Sequence, residues 1–141
     1  MHDIFFTLPL YVVIPRKTKR DKNISLTLNW YRNAHFRLLS EVKIKYEQVI
    51  KDKIFINLPE KDTPHMFKKI KIEYVFYKNG NRRTDMTNWV AVIDKCVQDA
   101  LVSNGFIEDD STEYVVDVHP TFGGIDTMGK GRMEVRVSEV D

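Results

Sequence analysis

The stretch that decides the fold runs from Lys68 to Asp110, KKIKIEYVFYKNGNRRTDMTNWVAVIDKCVQDALVSNGFIEDD. It opens with a clean alternation: Ile70, Ile72, Tyr74 and Phe76 fall on one side, with Lys69, Lys71 and Glu73 on the other. That is the period of a strand from Lys68 to Tyr77 with one buried face. Asn79-Gly80 ends it with turn chemistry. From about Asn88 to Ser103 the period becomes helical, with Trp89, Ile93, Cys96 and Ala100 on an apolar face. Asn104-Gly105 closes the helix as a left-handed C-cap. A half-buried strand feeding an amphipathic helix indicates an α/β (α+β) domain.

Working outward, Phe5 to Val13 predicts a first strand, with Pro9 forcing an edge or a bend. The basic loop Pro15 to Asn23 follows. Between Asn29 and Lys51, apolar residues at Tyr31, Ala34, Leu38, Val42, Tyr46 and Val49 step by threes and fours, which predicts one long helix. Glu113 to His119 reads as a strand halted by Pro120, and Arg132 to Ser138 as a strand with Met133, Val135 and Val137 on one face. Extra hairpins are expected near Phe55 and Gly123, and Gly129 and Gly131 mark a further turn. The expected architecture is one domain over 1–141: a small mixed sheet with two main helices on one face.

The 141 residues are enough for one core, and 43% hydrophobic with 30% charged residues is ordinary for a globular chain. No apolar run reaches the roughly 18–20 residues of a membrane span. The Ile4 to Ile14 stretch has no basic flank and contains Pro9, which argues against a secretory signal. The lone Cys96 cannot form an internal disulfide and points to a reducing, intracellular setting. Net charge is only +2, yet its distribution is uneven. Cations bunch at Arg16, Lys17, Lys19, Arg20 and Lys22, at Lys68, Lys69 and Lys71, and at Arg82 and Arg83, while Glu108, Asp109 and Asp110 form an acidic run. A protein holding a polyanion at its rim and a metal at its centre would show this separation, as would an ordinary solvated surface.

On an ideal helix Asn88, Lys95 and Asp99 share a narrow stripe, which Asp85 extends at the entrance. Asp109 and Asp110 return after the cap. Carboxylates, a carboxamide and a lysine suit magnesium, which takes oxygen ligands and would lower the pKa of an attacking water. Lys95 would then steady transition-state charge. Each element also has a structural explanation. Asp85 is a favoured N-cap, Lys95 and Asp99 have ion-pair spacing, and Asp109-Asp110-Ser111 is common loop composition.

These residues resemble the RusA family of Holliday-junction resolvases. The similarity lies in Arg82, Arg83, Asp85, Asn88, Lys95, Asp99-Ala100-Leu101, Gly105 and Asp109-Asp110. The opening TLPL and the RMEVRV strand are also similar to the family's. The resemblance covers most of the chain and is specific only from Arg82 to Asp110. It implies a homodimeric, magnesium-dependent endonuclease that resolves four-way DNA junctions, with manganese as a substitute, encoded by a prophage and working in the bacterial cytoplasm. It carries over Asp85, Asp110 and Lys95 as catalytic, with Asp85, Asp109 and Asp110 toward the metal and Asn88 and Asp99 in support.

One departure stands out. Thr87 occupies the place of the family's second aspartate. Asp94 is then a candidate to compensate, as catalytic residue and metal ligand, although it lies about 120° around an ideal helix from Asn88. Asp109 is the other.

The expected DNA contacts are Arg16, Lys17, Lys19 and Arg20 on the arm, Arg32 on the first helix, and Arg82 and Arg83. His35 and His119 read as surface or structural histidines, and His2 and His65 show no zinc spacing. Trp30 and Trp89 read as core. No Gly-rich phosphate loop is present, so no small-molecule cofactor is expected, and neither is a membrane partner. Two other functions remain open at this point: a junction-binding protein without cleavage, and a nuclease acting on flaps or forks.

Overall fold

One of the two inner strands of the sheet is β4, Ile70–Lys78. In the computed structural model, which describes residues 3–58 and 66–141, it lies in a four-stranded sheet of order β1-β6-β4-β5. β1 (Asp3–Leu8) pairs antiparallel with β6 (Arg132–Glu139), β6 antiparallel with β4, and β4 parallel with β5 (Val115–Ile125). A parallel pair requires a crossover, and helix α3 (Met86–Ser103) supplies it. The chain is thus a single small α+β domain with a mixed sheet.

Alternation decides which face is covered. Ile4, Phe6 and Leu8, then Ile70, Ile72, Tyr74 and Phe76, then Met133, Val135 and Val137 are all buried. Burial stabilises each such side chain by about 1.5–3 kcal/mol. Helix α2 (Phe36–Asn57) packs on β1 and against α3, which packs on β4, so both main helices lie on this one face. The opposite face carries the exposed Phe5 and Arg136 and the part-exposed Val75 and Tyr77.

Several expectations need correction. The predicted first strand is two: β1 stops at Leu8, and β2 (Tyr11–Ile14) pairs with β3 (Lys22–Ser25) in a separate two-stranded sheet. Pro9 lies at the break, and its carbonyl accepts a 2.8 Å bond from the Tyr46 hydroxyl, which ties α2 to this corner. The predicted long helix is also two. Helix α1 (Leu28–Asn33) ends at Ala34, and α2 starts after His35, both extended. His35 Nδ1 accepts from the Arg37 amide and so acts as N-cap, a role sequence patterns assign to Ser, Thr, Asp or Asn.

Helix α2 then runs on through Phe55, with Val42, Tyr46, Ile50 and Ile54 buried at steps of four, so no hairpin forms there. Strand β5 continues through Pro120 and Gly123 to Ile125. Pro120 is tolerated because β5 is an edge strand and its missing N–H leaves no ladder bond broken inside the sheet. Gly123 lies in this strand beside a register shift opposite Phe76 and Tyr77, not in a hairpin turn. The turn expected around Gly129 and Gly131 lies between β5 and β6. His2 and His65 lie outside the described residues. Among those described, no helix is long and apolar enough to cross a membrane.

Candidate nucleic-acid interface

Helix α3 begins where β4 has turned through Asn79-Gly80, and its first turn is fixed by side chains. Asp85 is the N-cap: its Oδ1 accepts from the Thr87 amide at 3.1 Å and from the Thr87 hydroxyl at 2.8 Å. Trp89 Nε1 donates to Thr84 Oγ1 at 2.8 Å, linking the residue before the cap to the second turn. Asn88 faces α1, where its Oδ1 accepts the Asn29 amide at 3.2 Å. Thr87 therefore binds Asp85 rather than standing in for a second carboxylate.

Beside this helix mouth is a cavity of about 400 Å³. Three cations line it, Lys78, Arg82 and Arg83. Asn29, Asn79 and Asn88 add carboxamides, Ser25 and Thr27 add hydroxyls, and Phe76 and Trp89 provide aromatic wall. The two rings stack with centroids 6.0 Å apart. A shallower cavity of about 550 Å³ adjoins it, sharing Thr27 and Asn29, and is lined further by Lys22, Trp30, Asn33 and His35.

The β2–β3 hairpin forms part of this wall at Leu10 and Ser25. Its exposed tip carries Arg16, Lys17, Lys19 and Arg20, with Arg16 Nε bonded to the Arg20 carbonyl. Arg32 is exposed on α1. Next to the second cavity Phe36 stands 69% exposed, stacked on His35 and approached by Arg37.

The expected carboxylate site does not assemble within one chain. Lys95 lies about 15 Å along the axis from Asp85. It pairs with Asp99 at 3.6 Å, in the neighbourhood of Glu47 on α2. Burial, then the Asp99 charge, hold the Glu47 carboxyl above the usual range, and Lys43 and Lys95 pull it back. Asp94 points toward the sheet. Its Oδ1 accepts from the Tyr74 hydroxyl at 2.6 Å and its Oδ2 from Gln98 at 2.9 Å. Burial raises its pKa, while both hydrogen bonds oppose that rise. This is a packed polar contact, and it removes Asp94 as a partner for Asp85.

Asp109 and Asp110 are exposed beyond the other end of α3. Their loop is bound to the start of β4 through Phe67 N to the Phe106 carbonyl and Ile70 N to the Tyr114 carbonyl, whereas Asp85 follows the end of β4. Eighteen helical residues separate the two ends, about 27 Å. Among the described residues no group of three or more His, Cys, Asp or Glu is arranged to hold a metal ion. Among the described residues of one chain, the carboxylates expected to hold magnesium do not come together.

What the site defines is an α+β domain with a cation-lined polar groove at one end of its sheet. No family model matches the chain, and no curated protein matches it. Arg82 and Arg83, expected as DNA contacts, and Asn88, expected in support of the metal, line this groove together with Thr27, Asn29 and Lys78, which the sequence did not single out. Trp30 and Trp89, expected in the core, pack against it. Both tryptophans are part-buried, packed on the core on one side and lining a cavity on the other. Thr27 carried a usable signal, since it caps α1 by accepting from Trp30 N at 3.2 Å.

Proposed function

We propose that the chain is a RusA-like endonuclease acting as a homodimer on four-way DNA junctions in the bacterial cytoplasm, with magnesium as its metal. The observation that carries this reading is the groove lined by Lys78, Arg82 and Arg83 at the entrance of α3, the helix that Asp85 caps. Lysine and arginine there would neutralise phosphates and release counterions. The arm cations sit on the hairpin that forms the same wall. The spacing from Arg82 to Asp110 adds the resemblance.

The carboxylates set a condition. Asp85 and the Asp109-Asp110 pair sit at opposite ends of α3, so one subunit cannot unite them. A two-fold dimer with antiparallel α3 helices would bring the Asp85 end of each subunit to the Asp109-Asp110 end of its partner. Thr87, Ala91, Lys95 and Ser103 are the exposed residues along that helix.

A second reading is favoured by the same geometry: a junction-binding protein without cleavage. Asp85 and Thr87 are engaged with each other as a cap, and the acids do not converge in one chain.

Cleavage of a labelled mobile four-way junction, with magnesium and with chelator, beside a linear duplex, tests the proposal. Paired nicks that need magnesium and spare the duplex are expected. Binding with no nicking in magnesium or manganese would replace it with the second reading, and preference for flaps or forks would change the substrate. Asp85→Asn and Asp110→Asn should each abolish cutting while binding persists. Mixing the two variants should restore it, because a mixed dimer contains one site with both aspartates intact. If cutting exists and mixing restores nothing, the shared-site arrangement is wrong.

A further inference from the structure

We infer that the two adjoining cavities form a track for unpaired nucleotides of single-stranded DNA, one base seated against Trp89 and a neighbouring base against Trp30. The inference rests on the nucleic-acid part of the reading above and not on cleavage.

Each cavity has one part-buried tryptophan in its wall. Trp89 is braced by its bond to Thr84 and its stack on Phe76, so its ring is held before any ligand arrives. Trp30 sits in the first turn of α1, whose N-cap Thr27 lines both cavities. Their volumes, about 400 and 550 Å³, fall in the range of roughly 300–1,000 Å³ typical of small-ligand sites.

The chemistry of the walls matches a nucleotide better than a bare phosphate. Each cavity has cations in its lining, Lys78, Arg82 and Arg83 in one and Lys22 in the other, suited to backbone phosphates. The lining also holds Asn29, Asn33 and Asn88. Asn33 Nδ2 donates to the Asn29 backbone carbonyl and to Asn29 Oδ1, and Asn88 Oδ1 accepts from the Asn29 backbone amide. That leaves the Asn29 and Asn88 side-chain amide groups as donors and the Asn33 carboxamide oxygen as an acceptor for a base edge. A base inside a duplex has that edge paired and both faces stacked, so it cannot enter a concave pocket. A base splayed out at a strand exchange point can. Binding to aromatic faces is tolerant of sequence, because every base has a π-face.

Trp30 and Trp89 are the only tryptophans in the chain, so tryptophan fluorescence reports on these two cavities alone. The test titrates the full chain with a short thymidine oligonucleotide, an abasic oligonucleotide of equal length and charge, a duplex of equal length, and thymidine monophosphate. The thymidine oligonucleotide should quench the fluorescence and bind at least about tenfold more tightly than the abasic strand. Trp30→Phe and Trp89→Phe keep a ring for packing and leave one reporter each, and quenching is expected in both.

Equal affinity for the abasic strand, or for the duplex, would overturn the track and reduce the groove to phosphate binding. Quenching in only one variant would overturn the two-base arrangement. Monophosphate binding as tight as the strand would reassign the site to a free nucleotide. Loss of base dependence with magnesium-dependent junction cutting intact refutes only the track. Base-dependent binding with no cutting refutes only the nuclease.

Discussion

Replacing Asp94 separates a packing role from a catalytic one. Tyr74 is fully buried, and its hydroxyl donates to Asp94 Oδ1 at 2.6 Å. Asp94→Ala strands that hydroxyl, at about 1–3 kcal/mol. For a domain of this size that lowers Tm by roughly 3–9 °C. Asp94→Asn keeps an acceptor for Tyr74 and removes a buried charge, and Gln98 can turn its oxygen toward the new amide.

Burial holds the Asp94 carboxyl above its ordinary value in the folded state, so the native protein binds this proton more tightly than the unfolded chain does. Its contribution to stability therefore falls as pH rises from the ordinary carboxylate range through the raised value, and levels off above it. Urea midpoints of wild type and Asp94→Asn, measured from about pH 4 to neutrality, should show the Asn variant gaining on wild type as pH rises. Parallel pH curves, or an Ala variant as stable as wild type, would refute the argument. Asp94→Asn should also cut junctions like wild type. Abolished cutting with unchanged stability would return Asp94 to the chemistry.

Three further outcomes follow from the packing. Asp85→Ala should destabilise by about 1 kcal/mol in thermal melts through loss of the N-cap, while Asp85→Asn, also a good cap, should stay within a few tenths. Any loss of cutting in the Asn variant alone then reports chemistry. Gly123→Ala would place a methyl 2.5 Å from the Tyr77 ring and 2.7 Å from Val75, and that ring has the Arg132 guanidinium 3.8 Å from its centroid. A cost of about 1–3 kcal/mol in chemical denaturation is expected, and a neutral variant would mean the strand shifts freely. Burial pushes the Cys96 thiol up to about 12, so it should ignore a thiol reagent at neutral pH until the chain unfolds. Prompt labelling of the native protein would contradict its burial.

The parts of the fold legible in the sequence are those in which a local period is also the tertiary one. Ile70 through Phe76 and Met133 through Val137 alternate because one face of the sheet is covered, and the α3 pattern with its Asn104-Gly105 cap reads directly; Gly105 has the positive φ of 81° that such a cap requires. What is not legible depends on a partner distant in sequence. Nothing near His35 announces that its imidazole will cap a helix. Pro120 ends a strand in any local reading, and only the edge position of β5 permits it to continue. Trp89 satisfies the helical apolar period yet lies at the end of the sheet, where the covering layer stops and a groove begins.

The site shows the same limit more sharply, because a linear motif counts residues along the chain and not distance across the fold. Asp85 and Asp110 read as one constellation only while the helix between them is ignored. Helix α3 is capped at both ends, and it carries its termini to opposite ends of β4, so no side-chain rotation brings them together. In a single subunit the motif is therefore two features, a capped helix mouth opening on a cationic groove and an acidic loop far from it. Two-fold symmetry is the arrangement that reunites them without altering the fold, since an antiparallel copy of α3 reverses the order of its ends. Under the proposed nuclease reading, a dimer would be a condition of hydrolysis as well as a match to the symmetry of a four-way junction. Restoration of cutting by mixed Asp85→Asn and Asp110→Asn chains is the result that the shared-site proposal predicts.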